Sequence, residues 1–340
     1  MFKNILIIKP SSLGDVIHGI PVLAKLRATY PDARISWLVG TAAAPLIESN
    51  PNLNRVFYFG RRPGGLVRSL RVHLALLNEL RAAAFDCVID LQGLLRSAFL
   101  AWATRAPRRI GFLEAREKAS VFYTDKVSWN GLQHAVDQCL SVGQVLGFDT
   151  ANPAFALNVP AGAQRSVERI LSPLPRPYIV LSPGTRWASK CWPAANFADA
   201  AGRLCKRVGG TYFVTGTKDE ADATAAAIVD AVGAQAVNLV GRTSLTETVA
   251  LISKADMLVT PDSGPMHMAD ALGTPLVAVF GPTDSEHTGP YFQRKRVIRA
   301  EGACDKVPCR ARNCSNPKCM SSISGETVAD RVVAVLEGRA

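Results

Sequence analysis

The sequence predicts an α/β fold in two Rossmann-like domains, and three observations carry that prediction. The chain has 340 residues with 48% hydrophobic content, enough to close two separate cores of roughly 150 residues each. Short β-branched apolar runs alternate with amphipathic stretches in both halves, the rhythm of parallel strands joined by crossover helices. Prolines cluster between the halves, at Pro153, Pro160, Pro173, Pro175 and Pro177, where a linker is expected over 156–177.

Residues 3–8 read as the first strand, and after a turn at 11–14 the positions Val16, Ile20, Leu23, Ala24 and Leu26 follow a helical period. Segments 34–39, 56–59 and 87–90 repeat the strand signal, which makes 1–155 the first domain. A second series at 178–181, 211–215, 236–239, 257–260 and 276–280 marks a second domain over 178–324. The amphipathic tail, 325–340, is expected to close it as a helix.

A formal charge of +11 points to an anionic partner: nucleic acid, anionic lipid or a phosphorylated substrate. The arginines are dispersed, at Arg55, Arg61, Arg62, Arg68 and Arg71 and again at Arg105, Arg108, Arg109 and Arg116, without interleaved aromatics. Nucleic acid is therefore not the expected partner. The N-terminal apolar run is too short for a signal segment, and no run approaches the roughly 20 residues of a membrane span. A soluble cytoplasmic protein is expected, with peripheral contact at the inner-membrane surface through the basic residues of its first domain.

Three loops carry chemistry. Lys9-Pro10-Ser11-Ser12-Leu13-Gly14-Asp15 occupies the first βα turn, where a dinucleotide fingerprint would show G-x-G-x-x-G and does not. Asp15 there can take a proton from a hydroxyl, or it can cap the helix and meet its dipole; position alone leaves both open. In the second half, Ser182-Pro183-Gly184-Thr185 leads to Lys190, and backbone N–H groups, the Thr185 hydroxyl and the Lys190 ammonium suit a diphosphate. The bland alternative is a surface lysine. The third loop, Asp262-Ser263-Gly264-Pro265-Met266-His267, opens a helix whose free N–H groups form an anion site. Asp262 can accept from sugar hydroxyls and His267 can donate to a phosphate oxygen, or His267 is structural.

These segments resemble the heptosyltransferases of glycosyltransferase family 9, over nearly the whole chain. KPSSLGDVIHGIP, FDCVIDLQGLLRSA, SPGTRWASKCWP and TPDSGPMHMADALGTPLVAVFGPTD carry the resemblance. It implies a GT-B architecture, two Rossmann-like domains facing across a cleft. It also implies inverting, metal-independent transfer from ADP-heptose to the lipopolysaccharide inner core, at Kdo-lipid A or heptosyl-Kdo-lipid A, with no cofactor needed for catalysis. Asp15 would be the general base and Lys190 the cation on the phosphates, with donor contacts from Thr185, Glu220, Asp262, Ser263, Gly264 and His267. EAREKASVFY and LQHAVDQ are similar to heptosyltransferase I, which implies Arg116 near the acceptor's anionic groups, and Arg61 and Arg62 resemble that enzyme's acceptor-side basic pair. The alternatives are a heptosyltransferase acting on protein and a GT-B sugar-nucleotide epimerase; the epimerase would need no base at position 15.

Four of the eight cysteines, Cys87, Cys139, Cys191 and Cys205, are scattered and read as small buried thiols. Cys304, Cys309, Cys314 and Cys319 recur at five-residue intervals in a basic loop. Members of the family resemble this chain in that cysteine-rich segment, and four thiolates can hold a structural metal, although the tight C-x2-C pairs are missing. Free or partly buried thiols are the other reading, disulfides being disfavoured in a reducing cytoplasm.

Overall fold

The run NILII becomes β1 (Asn4–Ile8), and Ile5 to Ile8 are fully buried, so both faces of the strand are covered. A strand without polar alternation belongs in the middle of a parallel sheet layered by helices. The computed structural model describes residues 2–60, 65–309 and 311–339 and divides into two units, Met1–Asn158 and Val159–Ala340.

In the first unit β1 is followed by β2 (Arg34–Gly40), β3 (Arg55–Phe59), β4 (Cys87–Asp90), β5 (Arg108–Phe112) and β6 (Asp125–Val127). All pair in parallel, in the order β3-β2-β1-β4-β5-β6. The second unit holds β7 (Tyr178–Leu181), β8 (Thr211–Val214), β9 (Ala236–Asn238), β10 (Met257–Pro261), β11 (Leu276–Phe280) and β12 (Val297–Arg299). Its order, β12-β11-β10-β7-β8-β9, is the same pattern counted from its own first strand. Each sheet therefore reverses direction beside that strand, between β1 and β4 and between β7 and β10. Loops leaving the carboxyl ends of those strands diverge, and the crevice between them is where open α/β sheets bind ligands.

The structure adds three strands to those read from the sequence. β5 opens on Arg108-Arg109, β6 is Asp-Lys-Val and β12 is Val-Ile-Arg; at or next to a sheet edge, such strands need no apolar run. Inside the stretch expected as linker, the helix Ala161–Leu171 buries Ala163, Val167 and Leu171, and the Ser166 hydroxyl donates to Glu247 at 2.6 Å. That stretch is thus largely part of the second unit. The helix Gly325–Leu336 packs on the helix Ala194–Val208, where Gly325 meets Asn196 and Ala200 too closely for a Cβ. Burial pushes the Cys87 thiol up to about 12 and raises that of Cys139, which makes both inert. No described helix is long and apolar enough to cross a membrane.

The carboxyl end of β4 is fixed by a buried carboxylate. Asp90 is fully buried; its Oδ1 accepts the backbone N–H of Gln92 at 2.9 Å and of Gly93 at 3.2 Å, and its Oδ2 accepts the Tyr123 hydroxyl at 2.7 Å. The Tyr123 ring lies directly on Gly111, in the space a Cβ would take. Burial raises the Asp90 carboxyl above the usual aspartate range, with the Tyr123 hydrogen bond pulling the other way. Tyr123→Phe is expected to destabilise the chain by about 1.5–3 kcal/mol in urea unfolding at neutral pH, the worth of a hydrogen bond to a charge. Losing the donor raises the folded Asp90 pKa further, and a raised carboxyl favours the native state at low pH. The deficit should therefore shrink as pH falls through the folded Asp90 pKa. A deficit constant with pH would mean that Asp90 is uncharged in the fold.

Candidate functional site

In the first unit two loops meet at the β1/β4 reversal. Lys9 is buried at the end of β1 and its ammonium donates to the Leu91 carbonyl at 2.6 Å, while the Ser11 N–H donates to the Gln92 side-chain oxygen at 3.4 Å. The loop after β1 is thus braced by the loop that Asp90 holds. Asp15 stands half-buried in the first turn of the helix Leu13–Thr29. Its Oδ2 accepts the N–H of Ser12 at 2.6 Å, a capping-box contact, and also the Ser12 hydroxyl at 2.8 Å. Capping is therefore part of what Asp15 does, and both of these contacts use one oxygen.

Around that turn, Arg96 lays its guanidinium 4.9 Å from the centroid of the Phe59 ring and lines a small pocket with Pro10, Ser11 and Gln92. Sequence reasoning passed over Arg96; the available signal was a single charge in the first turn of an otherwise apolar helix. Arg116 is exposed, and its backbone N–H donates to the Gly93 carbonyl at 2.9 Å, beside the same loop. Arg61 and Arg62 lie outside the described residues.

In the second unit the β7/β10 reversal gathers most of the expected donor residues. The Lys190 ammonium donates to Asp262 Oδ2 at 2.6 Å, with the two side chains 17% and 7% exposed. The buried Thr283 hydroxyl donates to the same oxygen at 2.6 Å. Asp262, expected as a hydrogen-bond acceptor for a sugar, is thus engaged by the lysine from the loop after β7. Ser263 is the N-cap of the helix Gly264–Leu272, with Pro265 in its first turn; its hydroxyl pairs with that of Thr260 at 2.8 Å. The helix N-terminus expected to face an anion thus lies at this reversal. His267 is buried one turn in, on the same helix.

The loop 182–190 is shaped by its own contacts. The Thr185 hydroxyl donates to the Trp187 carbonyl at 2.7 Å, which turns the chain back toward Lys190. A Cβ on Gly184 would stand 3.1 Å from the Glu220 Cβ, so glycine lets the first turn of the helix Lys218–Val232 bring Glu220 against this loop. Two cations share the Trp187 ring: Lys190 Nζ lies 4.6 Å and the Arg312 guanidinium 5.4 Å from its centroid. Arg312, like Arg96, was not read from the sequence.

Arg312 arrives from the cysteine-rich loop, where the structure does not support a metal. Among the described residues no group of three or more His, Cys, Asp or Glu side chains is placed to hold an ion. Cys319 is buried beside Gly281, its thiol raised by burial and by neighbouring Cys304, Cys309 and Cys314, while Cys309 and Cys314 are exposed and Cys304 is half-buried. Hydrogen bonds to main-chain carbonyls hold the loop: the Ser189 N–H donates to the Arg312 carbonyl at 3.2 Å, the Ser189 hydroxyl to the Ala311 carbonyl, and the Cys309 N–H to the Pro282 carbonyl at 2.9 Å. An open cavity of about 850 Å³ elsewhere in this unit lies between β12 and the helix Gly325–Leu336. It is lined by both signs of charge, among them Arg294, Glu286, Arg331 and Asp330, lies two strands from the reversal, and contains none of the expected site residues.

Comparison with known proteins agrees with this fold. The family model of glycosyltransferase family 9 (heptosyltransferase) matches residues 73–320. The lipopolysaccharide core heptosyltransferase OpsX of Haemophilus influenzae is 26% identical, over 87% of this chain and 84% of its own. Lipopolysaccharide heptosyltransferase 1 of Pseudomonas aeruginosa is 29% identical over 98% of each chain. The solved structure of Escherichia coli heptosyltransferase WaaC with ADP-2-deoxy-2-fluoro heptose shares the fold at a TM-score of 0.77 and 24% identity, over 99% of this chain and 100% of that one. A family match across most of the sequence and a pair of Rossmann-like domains of the kind found in GT-B enzymes lead to one conclusion: the chain belongs to glycosyltransferase family 9, the heptosyltransferases, and is a glycosyltransferase.

Proposed function

We propose that the chain transfers heptose from ADP-heptose to the inner core of lipopolysaccharide, at Kdo-lipid A or its heptosylated form, with inversion at the anomeric carbon. The observation that carries this reading is the Lys190–Asp262 pair at the β7/β10 reversal, beside a helix N-terminus, in a member of a heptosyltransferase family. Relatives named for lipopolysaccharide heptose transfer, and a neighbour solved with an ADP-heptose analogue, support the choice of donor and acceptor.

In this reading the diphosphate lies over the N–H groups of Ser263 and Gly264 and against the Thr185 loop. Lys190 turns from Asp262 to the phosphates, and Arg312 supplies a second cation, so the charge on departing ADP meets donors already in place. Glu220, against Gly184, suits the ribose hydroxyls, and His267 donates from the helix. In the first unit Asp15 keeps Oδ2 on Ser12 and takes the acceptor proton on its other oxygen. The acceptor oxygen bonds to the anomeric carbon as the bond to the ADP oxygen breaks, and the proton ends on Asp15. Arg116 and Arg96 serve the anionic groups of the acceptor, the role that the family resemblance implies for Arg61 and Arg62. Because that acceptor carries acyl chains, the reaction takes place at the cytoplasmic surface of the inner membrane.

The test is ADP release from ADP-heptose with and without Kdo2-lipid A. Asp15→Ala should lower kcat by about 10²–10⁴-fold with little change in donor KM, the span of a lost general base. Lys190→Ala should lower kcat by about 10²–10³-fold, as loss of a pre-placed electrostatic donor does. Release indifferent to the acceptor, or to Asp15→Ala, would sink the proposal. Arg312→Ala should raise donor KM about tenfold, the worth of one charge-assisted contact, with partial recovery in Arg312→Lys; an unchanged KM would remove Arg312 from the site.

A further inference from the structure

The helix Leu95–Ala103, LRSAFLAWA, has Arg96 as its one charged residue. Its inner face, Ser97, Ala98, Leu100, Ala101 and Ala103, is buried, as a crossover helix requires. Its outer face is apolar too: Leu95, Phe99 and Trp102, at i, i+4 and i+7, are 46%, 43% and 50% exposed. Beside it the turn Ala119–Phe122 adds Val121, 69% exposed, and Phe122, whose ring centroid lies 6.4 Å from that of Phe99 and 6.2 Å from that of Trp102. A helix on a water-facing surface turns polar side chains outward, whereas one apolar all round belongs in a core or a membrane.

The cluster is built rather than incidental. Ala98, Ala119 and Tyr123 form a small core beneath it, and the Arg109 guanidinium ties the turn to the helix end by donating to the Phe122 carbonyl at 2.9 Å and the Ala106 carbonyl at 2.7 Å. Exposed cations flank it: the Arg105 N–H donates to the Trp102 carbonyl, and the Lys118 carbonyl accepts the Val121 N–H. Glu117 is the acid at this rim, and its carboxylate is engaged by the Leu95 N–H at 3.0 Å.

We infer that this face, Leu95, Phe99, Trp102, Val121 and Phe122 with Arg105 and Lys118, is the docking surface of the chain on an anionic lipid bilayer. Aromatic rings sit at the headgroup level while cations meet lipid phosphates, and the two signals together hold a peripheral protein where one alone is marginal. A second copy of the chain fits less well, since a stable protein interface takes about 20–30 residues a side. The helix spans roughly 13 Å, and it starts just after the loop whose Gln92 side chain holds Ser11. The bilayer contact and the acceptor side of the first unit thus share one rigid element. This inference rests on the proposed lipid-anchored acceptor and says which surface meets the lipid.

The experiment is co-sedimentation of the full chain with vesicles of phosphatidylethanolamine and phosphatidylglycerol, against vesicles of phosphatidylcholine alone. Binding to the anionic vesicles should fall about tenfold or more in Phe99→Ser/Trp102→Ser, which removes most of the buried apolar area. Arg105→Ser/Lys118→Ser leaves the apolar face and its core untouched, and should lower binding while weakening its dependence on salt. Both variants should release ADP normally on an acceptor lacking acyl chains, which also shows that they fold. Vesicle binding unchanged in both variants overturns the inference. So does a dimer in light scattering that becomes monomeric in the aromatic variant, because a second copy then covers the face. If vesicle binding behaves as described but no acceptor supports ADP release, the proposed function fails and the docking surface stands.

Discussion

A parallel sheet that grows outward from its first strand in both directions sends the helices after its two central strands to opposite faces, and leaves nothing to cover the ends of those strands. Both units obey this constraint, at β1/β4 and at β7/β10, and what surrounds the reversals follows from it. The central strands are buried on both faces and hence apolar; the loops leaving them carry the polar groups of the site. A polar group at such a strand end is desolvated by the sheet on one side and available on the other.

The two units resolve that position differently. Each puts a buried carboxylate at the end of its fourth strand, Asp90 on β4 and Asp262 just after β10. Asp90 is satisfied by backbone N–H groups and a tyrosine, so it shapes a loop and holds no cation. Asp262 is satisfied by Lys190 and Thr283, so it holds a cation at the mouth of the crevice. Similar scaffolds thereby give one rigid brace and one charged centre. The Cys304–Cys319 loop belongs to the second of these, because its backbone is stitched to Ser189 next to Lys190.

Much of this was legible in the sequence because the reversal makes the most informative segments coincide with the site. Fully buried strands such as NILII and LVAVF stand out as unbroken apolar runs, and the Gly, Pro and Ser residues that end them mark the loops. What was hidden is what the runs do not reach. β5, β6 and β12 are short and charged, and the helix Ala161–Leu171 sits among prolines that read as linker. Arg312 and Arg96 could not be placed from spacing, since each reaches its site through an aromatic ring far away in sequence, Trp187 and Phe59. The regular cysteine spacing drew attention to metal chemistry and gave no sign of the main-chain hydrogen bonds that anchor the segment.

Under the proposed function, the Lys190–Asp262 pair also bears on what kind of ligand this centre would answer to. The ammonium is neutralised by a carboxylate that is 7% exposed, so the loop is not a bare positive trap. Any incoming anion must displace Asp262 in a competition for one cation, and the carboxylate it displaces keeps only the Thr283 hydroxyl of these two donors. That exchange favours a ligand bringing more than one negative charge, able to hold the lysine and the helix N-terminus together. In the proposed reading, selectivity for a diphosphate over inorganic monoanions would belong to the pair and not to the lysine alone.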